Sequence, residues 1–437
     1  MKIPDLTIRA LALCLLASPP AFSQSQPDSA GAEESVIGTR AQLTLDDLRT
    51  FTDVFNQVRR NYVEPVDDKT LLDAAIRGML SELDPHSAFL GSEEYQDLND
   101  TARGRYSGIG VNVRPEDGFI TVDAIINDSP ADQAGLNPGD VITSINGQQV
   151  RGRYLPDAID EIDGEPGTEL TIEVLTPEGE TREVSLQREY IQYPTLSYEL
   201  LEQSWGFFKL TQFHRESAVH LQEALESIKA EGTELRGLII DLRDNPGGVL
   251  QPAVAIADGF LDEGLIVSTR GRNETMQMEF TAHPGQWLEG APVVLLVDRG
   301  TASASEVLAG ALQDHGRALI IGEQTFGKGS VQSVLPLRNG AGIKLTTARY
   351  YTPTGRSIQA MGITPDIAIE DDTFSAAGDS GGRESDLDRH LSASEASADG
   401  VTGTGHSKDE FPLDEILQVR ESAVLSGSAD PAEDVDS

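Results

Sequence analysis

The chain has 437 residues and sets 33 basic against 72 acidic side chains, for a formal charge of −39. Such a charge repels nucleic acid and anionic lipid, and a single cysteine, Cys14, excludes both a disulfide framework and a zinc site built from several thiolates. With 38% hydrophobic residues there is enough apolar material for two or three domains, and no motif calls for a metal or a cofactor.

Lys2 and Arg9 precede an apolar run at 10–17, and Ala21-Phe22-Ser23 supplies small residues at the −3 and −1 positions of a cleavage point. Residues 1–23 therefore read as a secretory leader cut near Ser23, too short to span a bilayer as a helix. Cys14 leaves with it, and the mature chain is expected in the periplasm or another extracytoplasmic space. After a linker at 24–40, Leu45, Leu48, Phe51, Val54, Phe55 and Val58 recur at helical spacing. A second helix is expected from about Lys69, with Leu71, Leu72, Ala75, Ile76, Met79 and Leu80 on one face, ended by Asp84-Pro85. Residues 41–103 thus predict a small helical domain, suited to joining copies into a homodimer or higher oligomer.

Over 104–188 the pattern changes to short β-type runs, at 110–113 and 119–122, broken by Gly, Pro and Asp. The stretch SPADQAGLNPGDVITSINGQQV at 129–150, together with SGIGVNV at 107–113, resembles PDZ domains. The resemblance implies that Gly108, Ile109, Gly110 and Val111 form a carboxylate-binding loop. Glycines there let consecutive amides face one concavity, which can hold a peptide's terminal carboxylate while the peptide adds as a strand.

Apolar runs at 237–241, 292–297 and 318–321 fit strands buried on both faces, and helical segments near 215–230, 251–261 and 304–315 lie among them. Residues 189–370 therefore predict an α/β core with a mainly parallel sheet, in a multidomain α+β chain. Beyond it, 371–437 is acidic and rich in Ser, Gly, Ala and Asp. It reads as a mostly disordered tail that adds nothing to the core, although Leu413, Ile416, Leu417 and Val424 permit one short helix.

The strand at 292–297 runs into DRGTASASE, which places Ser303 between a strand end and a helix start, where crevices form in open α/β sheets. Ser303-x-x-Glu306 is also a capping box, and alone the serine reads as a cap. A second strand-end loop, 243–248, carries Gly247 and Gly248, whose amides could join that of Ala304 in an oxyanion hole. Four histidines are available as base, His214, His220, His283 and His315, and none stands in a loop of the expected kind. Lys328, in the loop 322–329, could serve if burial keeps it neutral. The same loop nearly matches a P-loop, Gly322-x-x-x-x-Gly327-Lys328, yet Gly329 stands where Ser or Thr would bind magnesium and a strand-like run at 331–335 follows.

The run GTASASEVLAGALQDHGRALIIGEQTFGKGSVQ at 300–332, with DLRDNPGG at 241–248 and GITPDI at 362–367, resembles the carboxy-terminal processing, or tail-specific, proteases. These are serine peptidases with a PDZ domain, and the likeness runs over about 41–370. It implies Ser303 as nucleophile, Lys328 as general base and Gln332 as the residue orienting the lysine. The oxyanion donors fall on Ala304 and on Gly247 or Gly248. Substrates would be proteins or peptides with unstructured apolar C-termini, with an adaptor or regulatory protein as a further partner. One departure is Asp163, in Ile162-Asp163-Gly164, where the family commonly has an arginine linked to activation. That substitution puts the family's activating contact in doubt and leaves Ser303 and Lys328 untouched.

Overall fold

The computed structural model describes residues 43–201, 204–369 and 382–393. The expected leader at 1–23, the linker at 24–40 and the short helix around 413–424 lie outside them. The chain divides into two units between Asp68 and Lys69. In the first, helix α1 (Leu45–Asn61) starts at a capping box in which Asp47 donates its amide to Thr44 Oγ1 at 3.2 Å and Asp47 Oδ2 accepts the Thr44 amide at 2.8 Å. Asp46 and Asp47 at its start and Arg59 and Arg60 at its end suit the helix dipole. Leu45, Leu48, Phe51, Val54 and Val58 are all exposed along it.

Helix α2 (Asp68–Ser81) leads into the second unit, and buried Asp84 accepts the amides of His86 and Ser87 at 2.9 and 3.0 Å, turning the chain into strand β1 (Ala88–Leu90). Helix α3 (Ser92–Ala102) follows. The β-rich module then takes β2 (Arg105–Gly108), β3 (Val111–Glu116), β4 (Phe119–Ile125), α4 (Pro130–Gln133), β5 (Val141–Ile145), β6 (Gln148–Gln149), α5 (Leu155–Asp160), β7 (Glu169–Leu175), β8 (Thr181–Gln187) and β9 (Glu189–Gln192). Strands β3-β4-β5-β7-β8 form one antiparallel sheet, with β6 on β5, over a core that includes Ile120, Ile142, Leu170 and Ile172. Strand β9 pairs antiparallel with β2, so the module closes at 192, just past its expected end.

The remaining elements are β10 (Leu196–Leu201), β11 (Trp205–Leu210), α6 (Ser217–Ala230), β12 (Gly237–Asp241), α7 (Leu250–Asp258), β13 (Leu265–Gly271), β14 (Met278–Thr281), β15 (Val293–Val297), α8 (Ala304–Asp314), β16 (Ala318–Gly322), β17 (Ser330–Pro336), β18 (Gly342–Tyr351) and β19 (Ile367–Ala368). A six-stranded sheet runs β10-β11-β12-β15-β16-β19. It is mixed: β10 and β11 pair antiparallel, the other neighbours parallel. Every residue of β12, β15 and β16 is buried, as continuous apolar runs require. Leu221, Ile256, Leu308 and Leu312 of the helices pack with Ile240, Leu295 and Ile320 from one face of the sheet, while Trp205, Ile239, Val294 and Leu319 form a smaller cluster on the other.

A second sheet, β1-β18-β13-β14 with β17 also on β18, is antiparallel. Strand β1 corrects the expectation of helices alone over 41–103: Phe89 packs with Leu80 and Ala341, and the strand exists because its partner β18 lies far downstream. Residues 382–393 also depart from a tail that adds nothing, since Glu384 is fully buried. Leu295 is fully buried at the centre of β15. Leu295→Ala should cost about 2–5 kcal/mol, seen as a lower midpoint in chemical denaturation; an unchanged midpoint would contradict this packing.

Candidate active site

Two strand-end loops meet where β12 and β15 stop. Buried Asp298 accepts the amides of Asp244, Gly300 and Thr301 at 3.0, 2.9 and 3.0 Å through Oδ1, and Thr301 Oγ1 donates to Leu242 O at 2.8 Å. Fully buried Asn245 completes the joint. Its carbonyl accepts the Ala302 amide at 3.0 Å and Ser305 Oγ at 3.1 Å, and its Nδ2 donates to Leu210 O at 2.7 Å. Gly247, at φ 95°, is pressed into this corner: a Cβ there would stand 2.6 Å from Ala302 O and 2.9 Å from the amide nitrogen of Ala304.

Ser303 caps α8 with φ 57° and ψ −114°, a conformation that costs a non-glycine residue about 1–3 kcal/mol and needs a rigid surrounding. Glu306 supplies it. Its fully buried carboxylate accepts the Ser303 amide at 2.8 Å, the Lys328 amide at 2.8 Å, the Gly327 amide at 2.7 Å and Thr325 Oγ1 at 2.5 Å. The Ser303 and Lys328 amides share one oxygen, Oε2, so the two residues lie within two hydrogen-bond lengths at the backbone. Burial pushes the Glu306 carboxyl up to about 7 against these four bonds, which favour its charged form.

Lys328 is half-buried between β16 and β17, and its Nζ makes no hydrogen bond or ion pair among the described residues. Burial lowers its pKa, helped by Lys344 and opposed by Glu384, Glu306 and Asp84. Ser303 Oγ and Lys328 Nζ are not hydrogen-bonded to each other. Gln332 makes no hydrogen bond to Lys328 among the described residues either. A bulge between Val331 and Gln332 turns its Nε2 to Ser330 Oγ at 2.9 Å and Thr346 Oγ1 at 3.3 Å.

Of the oxyanion candidates, Gly247 is corrected: its amide is spent on Asn245 Oδ1 at 2.9 Å. The amides of Ala304 and Gly248 donate to nothing among the described residues. None of the four histidines is hydrogen-bonded to Ser303 among the described residues: His214 donates its amide to Ser217 Oγ, His283 pairs with Asp258, His315 Nε2 sits 2.7 Å from Leu265 O, and His220 lines a cleft of about 1350 Å³ between the β-rich module and α6. The P-loop reading fails because two amides that would cradle a phosphate, those of Gly327 and Lys328, bind a carboxylate. Sequence reasoning missed the linking role of Glu306, whose signal was the Ser-x-x-Glu spacing, and the groups His86 and Glu384, for which no local signal exists.

In the β-rich module, Gly110 has φ 84° and lies against Ser129, where a Cβ would clash. The carbonyls of Ile109 and Gly110 accept the amides of Ala131 and Ile126, both at 2.9 Å, while the Ile109 and Gly110 amides donate to nothing among the described residues. The Ile109 side chain is core, and Val111 opens β3. Asp163 is held beside Gly108, where a Cβ would come 2.7 Å from its Oδ1, and burial with nearby Asp160 raises its carboxyl to about 6.

Over 340 residues, 77% of this chain and 78% of the relative, the sequence is 42% identical to a carboxy-terminal-processing protease of Bartonella bacilliformis. The chain belongs to the carboxy-terminal-processing proteases. It is also 39% identical, over 73% of its length and 76% of the relative, to a carboxyl-terminal-processing protease of Synechocystis. Residues 204–369 match peptidase family S41, 121–176 a PDZ domain and 19–94 the N-terminal domain of the activating protease CtpB. A solved photosystem II D1 C-terminal processing protease is 30% identical with a TM-score of 0.45, covering 75% of this chain and 94% of that one. The chain is thus a serine-type protease with a PDZ domain.

For this protease, Glu306→Ala orphans four donors, two of them buried and two part-buried, and each buried one left unpaired costs about 1–3 kcal/mol. The variant should denature at a clearly lower midpoint and lose activity; a wild-type midpoint would show that the carboxylate does not link the two loops.

Proposed function

We propose that this is an exported endopeptidase that takes the C-terminal tails of protein substrates in its PDZ domain and cuts them with a Ser303–Lys328 dyad. The observation that carries the dyad is the shared Glu306 oxygen, which holds the serine and lysine backbones together while the lysine amine stays unpaired in a desolvated position. In the reaction, Ser303 Oγ attacks the scissile carbonyl carbon and its proton passes to Lys328 Nζ. The amides of Ala304 and Gly248 hold the oxyanion, a contribution of about 10²–10³ in rate for each donor. Collapse of the tetrahedral intermediate expels the amine, which takes the proton from the lysine. Water then releases the acyl group from Ser303, with Lys328 again as base. The lysine side chain, whose amine has no hydrogen-bond partner among the described residues, rotates to meet Ser303 Oγ.

On unstructured polypeptide, Ser303→Ala should abolish cleavage and keep the fold. Lys328→Arg should do the same, because guanidinium keeps its proton near neutral pH. Burial lowers the Lys328 pKa, and only the free amine is a base, so wild-type kcat/KM should rise with pH through that lowered pKa. Appreciable cleavage by Lys328→Arg would remove the lysine from the mechanism.

The PDZ reading rests on the unengaged amides of Ile109 and Gly110 beside Gly108 and Val111. In the full-length Ser303→Ala chain, a peptide with a free apolar C-terminus should bind more tightly than its C-terminal amide, because the loop's amides then lose a charged acceptor. Equal affinity for the two peptides would rule out carboxylate capture at this loop. The exposed apolar stripe of α1 supports self-association into a homodimer or higher oligomer. The leader at 1–23 supports a periplasmic or otherwise extracytoplasmic site of action, and Asp163 in place of the family arginine points to a different activating contact with any adaptor.

A further inference from the structure

Residues 382–393 lie beyond the end of the peptidase match at residue 369, yet they dock on the lysine loop. Glu384 donates its amide to Phe326 O at 3.1 Å, two residues before Lys328. Its carboxylate, 0% exposed, accepts Gln359 Nε2 at 2.8 Å on one oxygen and lies 2.8 Å from His86 Nε2 on the other. Gln359 is also fully buried. Its Oε1 accepts the amide of Gly329, the residue after the lysine, at 3.0 Å, and its Nε2 donates to Leu391 O at 3.0 Å. One side-chain amide therefore ties the lysine loop to two points of the segment. Further out, Arg383 donates to Met361 O at 2.7 Å, and Arg389 donates to Ser81 O at 3.0 Å and pairs with Glu82 at 2.9 Å.

We infer that Glu384 is a positioning residue for Lys328: with Gln359 and His86 it clamps the lysine loop, and it places a negative charge beside that loop. The inference rests on the reading of Lys328 as general base. A carboxylate is costly to bury, and a neutral amide could hydrogen-bond the same neighbours at lower cost, so the charge itself calls for a nearby cation. Among the described residues, the charged groups that act on the Lys328 amine are Lys344 of β18, Glu306 of α8, Asp84 after α2 and Glu384 of the segment. Two of the acids are heavily engaged. Glu306 carries two donors on each oxygen, and Asp84 binds the His86 and Ser87 amides, Ser87 Oγ and Thr346 Oγ1. Glu384 has a single neighbour on each oxygen. Burial raises the Glu384 carboxyl, but the bonds from His86 and Gln359 and the nearby Lys328 bring it below the usual range, so it stays ionised. In turn, its charge favours the ammonium form of Lys328 and opposes the effect of burial.

The experiment is kcat/KM against pH on an unstructured polypeptide, for the full chain, Glu384→Gln and Arg389→Ala, with amide exchange over 326–329 measured alongside. Glu384→Gln keeps the size and a hydrogen-bonding group but removes the charge, so its rising limb should move to lower pH. Arg389→Ala loosens the segment at Ser81 and Glu82 without touching the lysine loop. It should shift the limb the same way, speed exchange at 326–329 and lower kcat by about 10-fold through the looser lysine. A purely structural role for the segment predicts reduced kcat with the limb unmoved. That result, or profiles coincident with wild type, overturns the inference. Ser303→Ala and Lys328→Arg separate the two failures. If either retains activity, the dyad is wrong; if both are dead and the Glu384→Gln limb does not move, this contact alone is wrong.

Discussion

Glu306 buries a carboxylate completely and gives each of its oxygens two donors, three of them backbone amides from two separate loops. A charge in that position is tolerable only while all four donors stay in place, so the loops that carry Ser303 and Lys328 are held as one body. The same constraint accounts for the backbone of Ser303. A non-glycine residue at φ 57° persists only where its surroundings over-determine it, and the Ser303 amide is fixed by the residue that also opens the first turn of α8.

The sheet places these loops, and polar joints lock them. Parallel strands β12 and β15 end side by side, and Asp298 and Asn245 then tie 243–248 to 298–305 by bonds that would be orphaned if either loop moved. Gly247 is squeezed so close to Ala302 and Ala304 that no side chain fits, and its amide is consumed internally. This leaves the amides of Gly248 and Ala304 without an acceptor among the described residues. On the proposed mechanism, the negative charge that develops there meets donors that need no rearrangement.

What the sequence made legible follows the range of the forces involved. Continuous apolar runs gave β12, β15 and β16 because a strand buried on both faces needs no partner to announce itself, and the Ser303 and Lys328 loops were found by lying at their ends. The turn at Gly110 was legible for a similar reason, since its backbone demand is local. Strand β1 was not, because a three-residue strand depends on pairing with β18. Gln332 was expected at the lysine, and a bulge in β17, invisible in an alternating run, turned it to Ser330 and Thr346. Glu384 stands in a stretch whose composition reads as solvated, and its burial depends on His86 and Gln359, neither of which is near in sequence.

On the proposed mechanism, the buried Glu306 carboxylate holds nucleophile and base in register. The rate at which a fluorophosphonate modifies Ser303, followed by mass spectrometry across pH, addresses it without any dependence on substrate recognition. The account predicts modification at Ser303 that accelerates as pH rises in the wild-type chain and collapses in a folded Glu306→Gln variant, where an amide replaces the acceptor shared by both loops. Equal modification rates in the two chains would contradict it.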